Sequence, residues 1–408
     1  VFFSPCIWYC TSCVNLRNQK ATYMAYPSEL ASTLNQDAAQ KSKQWLSKWP
    51  LLSPNATPLW SMKGTAHALG IKSLWIKDES KRSQLGSFKA LGAPNALIKL
   101  ILKHFPAFEA DKILLGAYRE QLANFAVVSA TDGNHGRALA AASQSSGCPC
   151  TIVIHAQVSK EREDAIAAYD ATMVRIAGNY DESVEEADRI AKENGWTVVS
   201  DTSYEGYTEI PRDVMQGYGV MAAEIVEQLE DNQKKPTHII LQGGVGGLAA
   251  GVFSYFWEHY GVERPIFVIV EPSQADCLYQ SAIQGKPASA TGSVDSIMAG
   301  LACGETSQIA WRFLQPSVDY FALIEDQDAI DSMLQLAQGY HEDTPIVGGE
   351  SGVAGLALLR KLVEQDQLDV LELNANSEVL IINTEGATAP ELFKELTGLT
   401  AEEVIAKQ

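Results

Sequence analysis

THIILQGGVGGLAAG, residues 237–251, joins an apolar, β-branched run to a glycine-rich loop and then to helix-forming residues. A continuous apolar run is typical of a strand buried on both faces of a parallel sheet. Backbone N–H groups exposed by glycines at the start of a helix can converge on a phosphate. This stretch therefore predicts an α/β fold with an anion-binding loop. The residues of that loop are Gly243, Gly244, Val245, Gly246 and Gly247.

The same strand-then-helix pattern recurs along the chain between about residue 70 and residue 385. The further apolar runs are SLWIK, FAVVSA, PCTIVIHA, TMVRIAG, WTVVSDT, IFVIVEP and EVLIINTEG. Their alternation with helical patterns predicts open, twisted, mostly parallel sheets with helices on both faces. In such sheets the functional residues gather in the loops after the carboxyl ends of the strands.

The net charge, the apolar runs and the cysteine count of the chain limit which kinds of molecule it is expected to bind. The chain has 408 residues and a formal net charge of −19, which disfavours nucleic acids and anionic membranes because phosphates are repelled. No apolar run reaches the length of about 18 residues that spans a bilayer. Seven cysteines are too few for a disulfide scaffold and suit a reducing compartment, so we expect a cytoplasmic protein with a small-molecule substrate.

The first 23 residues are unusual in composition and precede Met24, where a more ordinary segment starts. We expect residues 1–23 to be a non-native or disordered extension. Cys6, Cys10 and Cys13 lie in this segment, but no second cluster of ligands matches them, so we expect no metal site.

A single lysine stands out in GSFKALG, residues 86–92. Lys89 follows Phe88 at the predicted start of a helix. Partial desolvation would lower the pKa of this lysine and let it form a Schiff base with a carbonyl. The alternative is an ordinary surface lysine in the first turn of a helix.

The run ATDGNHG, residues 130–136, lies where another predicted strand meets a helix. Thr131 or Asp132 would serve as an ordinary helix N-cap. Alternatively, consecutive N–H donors beside Thr131 and Asn134 would hold a carboxylate, and Asn134 would donate to an anionic ring oxygen.

The glycine loop also permits a nicotinamide-binding interpretation. Gly244, Gly246 and Ala249 satisfy G-x-G-x-x-A, and Glu271 ends the next apolar run like a ribose-binding acid. Against this, 27 residues separate Gly244 from Glu271, whereas the pattern expects about 20.

Taken together, the loops resemble those of pyridoxal-phosphate enzymes with the tryptophan-synthase β-subunit fold, which include serine and threonine dehydratases. SFKALGA resembles the cofactor-lysine motif, GNHG the loop that holds substrate carboxylate and cofactor oxygen, and GGVGG the phosphate cradle. Most dehydratases have a serine directly before Gly-Asn-His. This chain has Asp132 at that position, and in this it resembles the diaminopropionate ammonia-lyases. Other stretches that match these lyases are KDES (77–80), DTSYEGYTEIPRDVMQGY (201–218), VEPSQADC (270–277), SIMAGLACGE (296–305) and NTEGATAP (383–390).

The resemblance implies an α,β-elimination of 2,3-diaminopropionate to pyruvate and two ammonia, in amino-acid catabolism, with pyridoxal 5′-phosphate as cofactor. The alternative on the same scaffold is a serine, threonine or 3-hydroxyaspartate dehydratase. The resemblance also implies a homodimer of chains with two sheets each: a large cofactor domain of residues 24–87 and 203–408, and a small mobile domain of residues 88–202.

The site residues come from the same resemblance. The implied catalytic residues are Lys89, Asp132 and Asp201. The implied cofactor-binding residues are Lys89, Phe88, Asn134, Gly243, Gly244, Val245, Gly246, Gly247, Asn383 and Thr384. The implied substrate-binding residues are Ala130, Thr131, Asp132, His135, Asp201 and Tyr207.

Several positions of the site allow more than one interpretation from sequence. Asn383 stands where the family usually has a serine near the pyridine nitrogen, so that contact is divided between Asn383 and Thr384. Tyr204 replaces an expected tryptophan, and Asp201 would also fit as a plain turn cap. Cys277 and Cys303 lie in matching loops, and we expect two thiols there rather than a disulfide.

Overall fold

The computed structural model of the chain describes residues 15–131 and 133–408. Asp132 and residues 1–14, with Cys6, Cys10 and Cys13, lie outside the described residues. The strands are β1 (Asn15–Arg17), β2 (Leu59–Ser61), β3 (Ser73–Asp78), β4 (Val127–Ala130), β5 (Cys150–Ile154), β6 (Thr172–Arg175), β7 (Thr197–Val198), β8 (His238–Gln242), β9 (Ile266–Pro272), β10 (Tyr320–Ile324) and β11 (Glu378–Asn383).

Helices cover much of the rest of the described chain. They are α1 (Ser28–Ala31), α2 (Gln36–Leu46), α3 (Lys63–Ala68), α4 (Lys89–His104), α5 (Ala110–Ile113), α6 (Arg119–Leu122), α7 (Asn134–Ser146), α8 (Lys160–Ala167), α9 (Tyr180–Asn194), α10 (Glu209–Glu230), α11 (Gly247–Tyr260), α12 (Cys277–Gln284), α13 (Gln308–Ser317), α14 (Asp326–Gln338), α15 (Ala354–Glu364), α16 (Pro390–Thr397) and α17 (Ala401–Ile405).

The two sheets have the predicted parallel character. The larger has the order β1-β10-β9-β8-β11-β3-β2; its five inner strands are parallel, and the edge strands β1 and β2 are antiparallel. The smaller is fully parallel, with the order β6-β5-β4-β7. The fold class predicted from the sequence is therefore confirmed.

Burial on both faces explains the continuous apolar runs. Along β8 and β9, alternate residues enter different cores: Ile239 and Phe267 face one, whereas Ile240 and Val268 face the other. The first core contains α4, α7 and α10 and also receives Val127 from the small sheet. These helices therefore pack between the two sheets.

All four strands of the small sheet fall within residues 88–202, the predicted small domain. The domain boundaries themselves stay a prediction. The expected extension over residues 1–23 needs correction in its described part, because β1 pairs with β10. The Asn18 side chain also donates to the main-chain carbonyls of Gln315 and Val318. Backbone pairing and this amide thus place residues of the expected extension in the large sheet.

The described residues contain neither a candidate membrane-spanning helix nor a candidate metal cluster. Within residues 15–131 and 133–408, no helix is both long and apolar enough to cross a membrane. Nor does that part of the chain bring together three or more His, Cys, Asp or Glu side chains in an arrangement that could hold a metal ion.

Candidate active site

Lys89 and Asp201 form an ion pair at the centre of the candidate site. Lys89 is the first residue of α4, Asp201 follows β7, and Lys89 Nζ lies 2.5 Å from Asp201 Oδ2. Burial disfavours the charged lysine, but the Asp201 carboxylate outweighs it and raises the pKa of Lys89. The pKa reduction expected from desolvation alone was therefore wrong, because the sequence did not place the carboxylate beside the lysine.

His135 adds a second polar group to this pair. Its Nε2 lies 2.9 Å from the carbonyl oxygen of Val199, which can only accept, so Nε2 carries the proton of the neutral ring. Burial lowers the pKa of His135 and keeps the ring neutral. Nδ1 is then an acceptor, 3.8 Å from Asp201 Oδ2, and no described residue hydrogen-bonds to it. The site thus contains two acceptors around the lysine ammonium.

The Asp201 carboxylate stays ionised. Burial raises its pKa, but the Lys89 ammonium opposes this effect more strongly and holds the pKa of Asp201 well below its usual range. Asp201 is therefore an acceptor at neutral pH and more than the turn cap that sequence alone allowed.

The ATDGNHG loop joins β4 to α7. Buried Ala130 ends the strand. The Thr131 hydroxyl accepts from the N–H of Gly136 at 3.3 Å and, more weakly, from that of Gly133 at 3.5 Å, so Thr131 does act as a cap. No described residue accepts the N–H groups of Asn134 and His135 at the start of α7. These donors suit a carboxylate.

The GGVGG loop lies at the carboxyl end of β8. Gly244 (φ +59°) and Gly246 (φ +98°) adopt left-handed conformations, which favour glycine. No described residue accepts the N–H groups of Gly244, Val245 and Gly247, whereas the Val245 carbonyl accepts from Ser307 at 3.0 Å. Three N–H donors without a partner among the described residues, at the start of the 14-residue helix α11, suit an anion.

The NTEG loop, residues 383–386, pairs with the lysine loop. The N–H of Phe88 donates to the Thr384 carbonyl at 3.0 Å, and that of Gly386 donates to Gly86 at 2.9 Å. Asn383 is buried, and its Nδ2 donates to Asp78 Oδ1 and to the Val347 carbonyl. The remaining Asn383 atom, Oδ1, has no partner among the described residues.

Asn134 has a partner that sequence reasoning missed. Its Nδ2 donates to Glu385 Oε2 at 2.5 Å, and Glu385 Oε1 accepts from the N–H of Ser351 at 3.2 Å. Glu385 is part of the quoted NTEG stretch, so its proximity to the site was predictable, but its pairing with Asn134 was not.

Tyr207 and Glu271, two residues that the sequence analysis considered for ligand binding, instead make hydrogen bonds to the protein backbone. The Tyr207 hydroxyl accepts from the N–H of Ser200 and donates to the Val198 carbonyl, both at 2.9 Å, so the backbone occupies it. Glu271 is fully buried and accepts from the N–H groups of Leu278 and Tyr279 at the start of α12. A carboxylate committed in this way does not suit a ribose, which removes the main support for nicotinamide binding.

The aromatic residues beside Lys89 complete the site. The Phe88 ring centroid lies 4.8 Å from that of Tyr218 and 5.2 Å from Lys89 Nζ. Tyr218 ends a stretch quoted for its resemblance, yet no motif gave it a role. Cys303 contributes to the electrostatic environment of Lys89, and the four described cysteines, Cys148, Cys150, Cys277 and Cys303, are thiols.

Comparison with known proteins covers most of the chain. Residues 51–385 match the family described as pyridoxal-phosphate dependent enzyme. The diaminopropionate ammonia-lyase of Escherichia coli (strain K12) is 35% identical over 381 residues, which span 91% of this chain and 94% of that protein. The enzyme of the same name from Salmonella typhimurium (strain LT2) is 38% identical over 357 residues, which span 83% and 87%.

Solved structures agree with these relatives. Crystal structures of the Escherichia coli diaminopropionate ammonia-lyase have been obtained with an aminoacrylate-PLP azomethine reaction intermediate and with D-serine. Each matches this chain with a TM-score of 0.85 and 34% identity, over 94% of this chain and 96% of the other.

Proposed function

The chain belongs to the pyridoxal-phosphate dependent enzyme family, and from this premise we propose that it eliminates ammonia from 2,3-diaminopropionate. With one water, the products are pyruvate and two ammonia. The enzyme is a carbon–nitrogen lyase, and its cofactor is pyridoxal 5′-phosphate.

The residues present fit this cofactor. The unpaired N–H groups of Gly244, Val245 and Gly247 suit its phosphate, and Lys89 supplies the amine that the aldehyde requires. Asn134, whose Nδ2 donates to Glu385, would meet the ring oxygen. When bound, pyridoxal phosphate supplies the electron sink that stabilises negative charge at the substrate Cα.

The substrate proposal rests on one observation: the Asp201 carboxylate and the unpaired Nδ1 of His135 lie 3.8 Å apart beside the reactive lysine. Two acceptors of this kind suit a cationic nitrogen, and the Lys89 ammonium already lies against them. A β-ammonium group leaves well as ammonia, and the same acceptors would hold it in its charged form. A hydroxyl substrate needs no such pair, which favours diaminopropionate over the dehydratase alternative.

Proton transfer at Cα needs a positioned base. Lys89, once its amine is neutral, serves one face of the substrate. Asp132, which lies outside the described residues, serves the opposite face in this proposal. The N–H groups of Asn134 and His135 and the capped Thr131 turn would hold the substrate carboxylate. Two bases on opposite faces would allow both enantiomers to react.

In this proposal the Thr384 hydroxyl would contact the pyridine nitrogen of the cofactor. Both N–H groups of Asn383 are used by Asp78 and Val347, which leaves Asn383 only an acceptor. An unprotonated ring nitrogen needs a donor, and the Thr384 hydroxyl can donate. A neutral partner of this kind limits the electron sink and so favours elimination over transamination.

The test is pyruvate formation by purified, cofactor-loaded protein. D- and L-2,3-diaminopropionate are compared with L-serine, L-threonine and 3-hydroxyaspartate, using wild type, Asp132→Asn and Asp201→Asn. Asp188→Asn is the control, because Asp188 is a surface carboxylate paired with Lys192 on α9. We expect fast turnover of diaminopropionate, loss of D-isomer activity in Asp132→Asn, and at least about a tenfold loss in Asp201→Asn, as for a charged hydrogen bond of about 1.5–3 kcal/mol.

Preference for a hydroxy amino acid, with little effect of Asp201→Asn, would instead support the dehydratase. Cofactor binding without pyruvate from any of these substrates would indicate a silent binding protein. The homodimer, the cytoplasmic location and a role in amino-acid catabolism stay predictions; light scattering of the purified protein would test the first.

A further inference from the structure

Tyr218 carries a buried hydroxyl that the proposed reaction does not use. The residue lies in α10 and is 1% exposed. Its hydroxyl makes no hydrogen bond of normal geometry to any described residue, although the Lys89 ammonium lies close enough to act on it as a donor. An unpaired buried hydroxyl destabilises a fold, so its presence needs an explanation other than packing.

The packing directs this hydroxyl toward the first turn of α4. A Cβ atom at Gly92 would lie 2.8 Å from the Tyr218 hydroxyl oxygen, so only glycine leaves room for it there. Gly92 is three residues after Lys89 and therefore shares its helix face. The Phe88 ring packs 4.8 Å from the Tyr218 ring and 5.2 Å from Lys89 Nζ. The phenol is thus held beside the reactive amine.

The charges around Tyr218 keep it in its neutral form. Burial raises the pKa of the phenol; Lys89 lowers it and Asp201 raises it, and the net shift is upward. The other titratable groups that act on Lys89 or Asp201 are His135 and Cys303. A protonated phenol keeps an oxygen lone pair that can accept an N–H group.

We propose that Tyr218 is a positioning residue whose hydroxyl oxygen accepts an N–H group of Lys89 when Asp201 turns to the cationic nitrogen of the substrate. This rests on the role proposed for Asp201. On the face of the substrate that Lys89 serves, Lys89 takes the Cα proton, and Tyr218 neither gains nor loses a proton. Its oxygen replaces the lost carboxylate contact, orients the neutral amine, and stabilises the ammonium that forms when Lys89 accepts the proton.

The first readout avoids substrate altogether. In cofactor-free Asp201→Asn protein, Lys89 has lost its charged partner, and the Tyr218 oxygen and His135 Nδ1 are neutral acceptors near it. The pH dependence of pyridoxal-phosphate capture by Lys89, followed by visible absorbance, gives the apparent pKa of the lysine. Adding Tyr218→Phe should lower this pKa by about one unit, a tenfold change in proton affinity. An unchanged pKa in the double variant would overturn the proposal.

The second readout is steady-state turnover of diaminopropionate by Tyr218→Phe alone. We expect kcat to fall about tenfold and KM to stay within about twofold, since a hydrogen bond made mainly as Lys89 takes the proton is lost. Tyr260→Phe is the control, because its hydroxyl is also buried and unpaired within the described chain but lies beside Lys235 and Glu230 at the end of α11. Equal kcat values for Tyr218→Phe and Tyr260→Phe would contradict the proposal.

Thermal unfolding separates this role from a structural one. Deleting an unpaired hydroxyl should leave the Tm of Tyr218→Phe unchanged or slightly higher. A large fall in Tm together with an unchanged lysine pKa would mean that the hydroxyl is structural. If wild type fails to turn over diaminopropionate while the lysine pKa still shifts, the proposed function fails, and what stands is that the Tyr218 oxygen accepts from Lys89.

Discussion

Glu385 fixes the amide of Asn134 from a separate loop. Its Oε2 atom accepts from Asn134 at 2.5 Å and from the Thr388 hydroxyl at 3.3 Å, and its Oε1 accepts from the N–H of Ser351. The carboxylate is buried and held at both oxygens. It therefore sets the orientation of the amide that we expect to contact the cofactor ring oxygen.

Replacing Glu385 with glutamine should loosen that amide. A glutamine has one acceptor oxygen, so either Asn134 or Ser351 loses its partner, and a charged hydrogen bond is worth about 1.5–3 kcal/mol. We expect pyridoxal phosphate to bind at least about tenfold more weakly, measured by absorbance titration of the cofactor-free protein. Thr388→Val removes only the longer contact and should change the affinity less than about threefold. The reverse order of effects would show that Asn134 does not depend on Glu385.

At this scale the sequence predicted which residue types the site needs but not their mutual effects. Lys89 was identified from its loop, yet the direction of its pKa shift depends on Asp201, which is 112 residues away in sequence. The same holds for Tyr218, whose position beside Lys89 results from the packing of α10 on α4. Pairwise electrostatics across elements is not encoded in any local pattern.

The GGVGG loop shows what an element-scale pattern can predict. The sequence predicted a strand, a glycine loop and the start of a helix, and the structure forms each of them. The contacts of this loop with residues far away in sequence could not be predicted. Gly246 is left-handed, and a Cβ there would lie 2.8 Å from a Leu314 methyl group. Ser307, just before α13, fixes the loop through the Val245 carbonyl.

Gly246→Ala should therefore damage the cradle rather than the fold as a whole. The left-handed conformation costs an alanine roughly 1–2 kcal/mol, and the contact with Leu314 forces the loop to move. We expect pyridoxal-phosphate affinity to fall at least about tenfold in an absorbance titration, as for about 1.4 kcal/mol of binding energy. Gly195→Ala is the matched control, because Gly195 is also left-handed (φ +68°) but has open space at its Cβ. An equal loss of affinity in both variants would mean that strain alone, and not the cradle, explains it.

Across the whole molecule, a buried charge network joins parts of the chain that are far apart in sequence. Glu224 of α10 accepts from Lys77 at 2.8 Å and from both terminal nitrogens of Arg82 at 2.7 Å. Arg82 also pairs with Glu79, and all four side chains are at most 5% exposed. The charges of two cationic and two anionic side chains therefore balance in the interior of the protein.

The stretch KDES, residues 77–80, belongs largely to this network. Lys77 and Glu79 enter the network, whereas Asp78 instead holds Asn383. The sequence identified these residues through resemblance, but charged residues in a short loop predict exposure as readily as burial. Only the assembled packing of β3 on α10 removes them from water.

The acid sensitivity of the fold should depend on Glu224. Its pKa is lowered to about 2 from 4.5, because burial, which raises it, is outweighed by Arg82 and Lys77. Stability from this shift is complete above about pH 4.5 and is lost as the pH falls toward 2. Glu224→Gln should cost about 3 kcal/mol at pH 7, and its Tm should fall less than that of wild type between pH 5 and pH 3, as measured by circular dichroism. Glu209→Gln breaks an exposed pair with Lys103 and should cost less than about 1 kcal/mol. Equal Tm values for the two variants at pH 7 would mean that the buried network adds no more to stability than a surface pair.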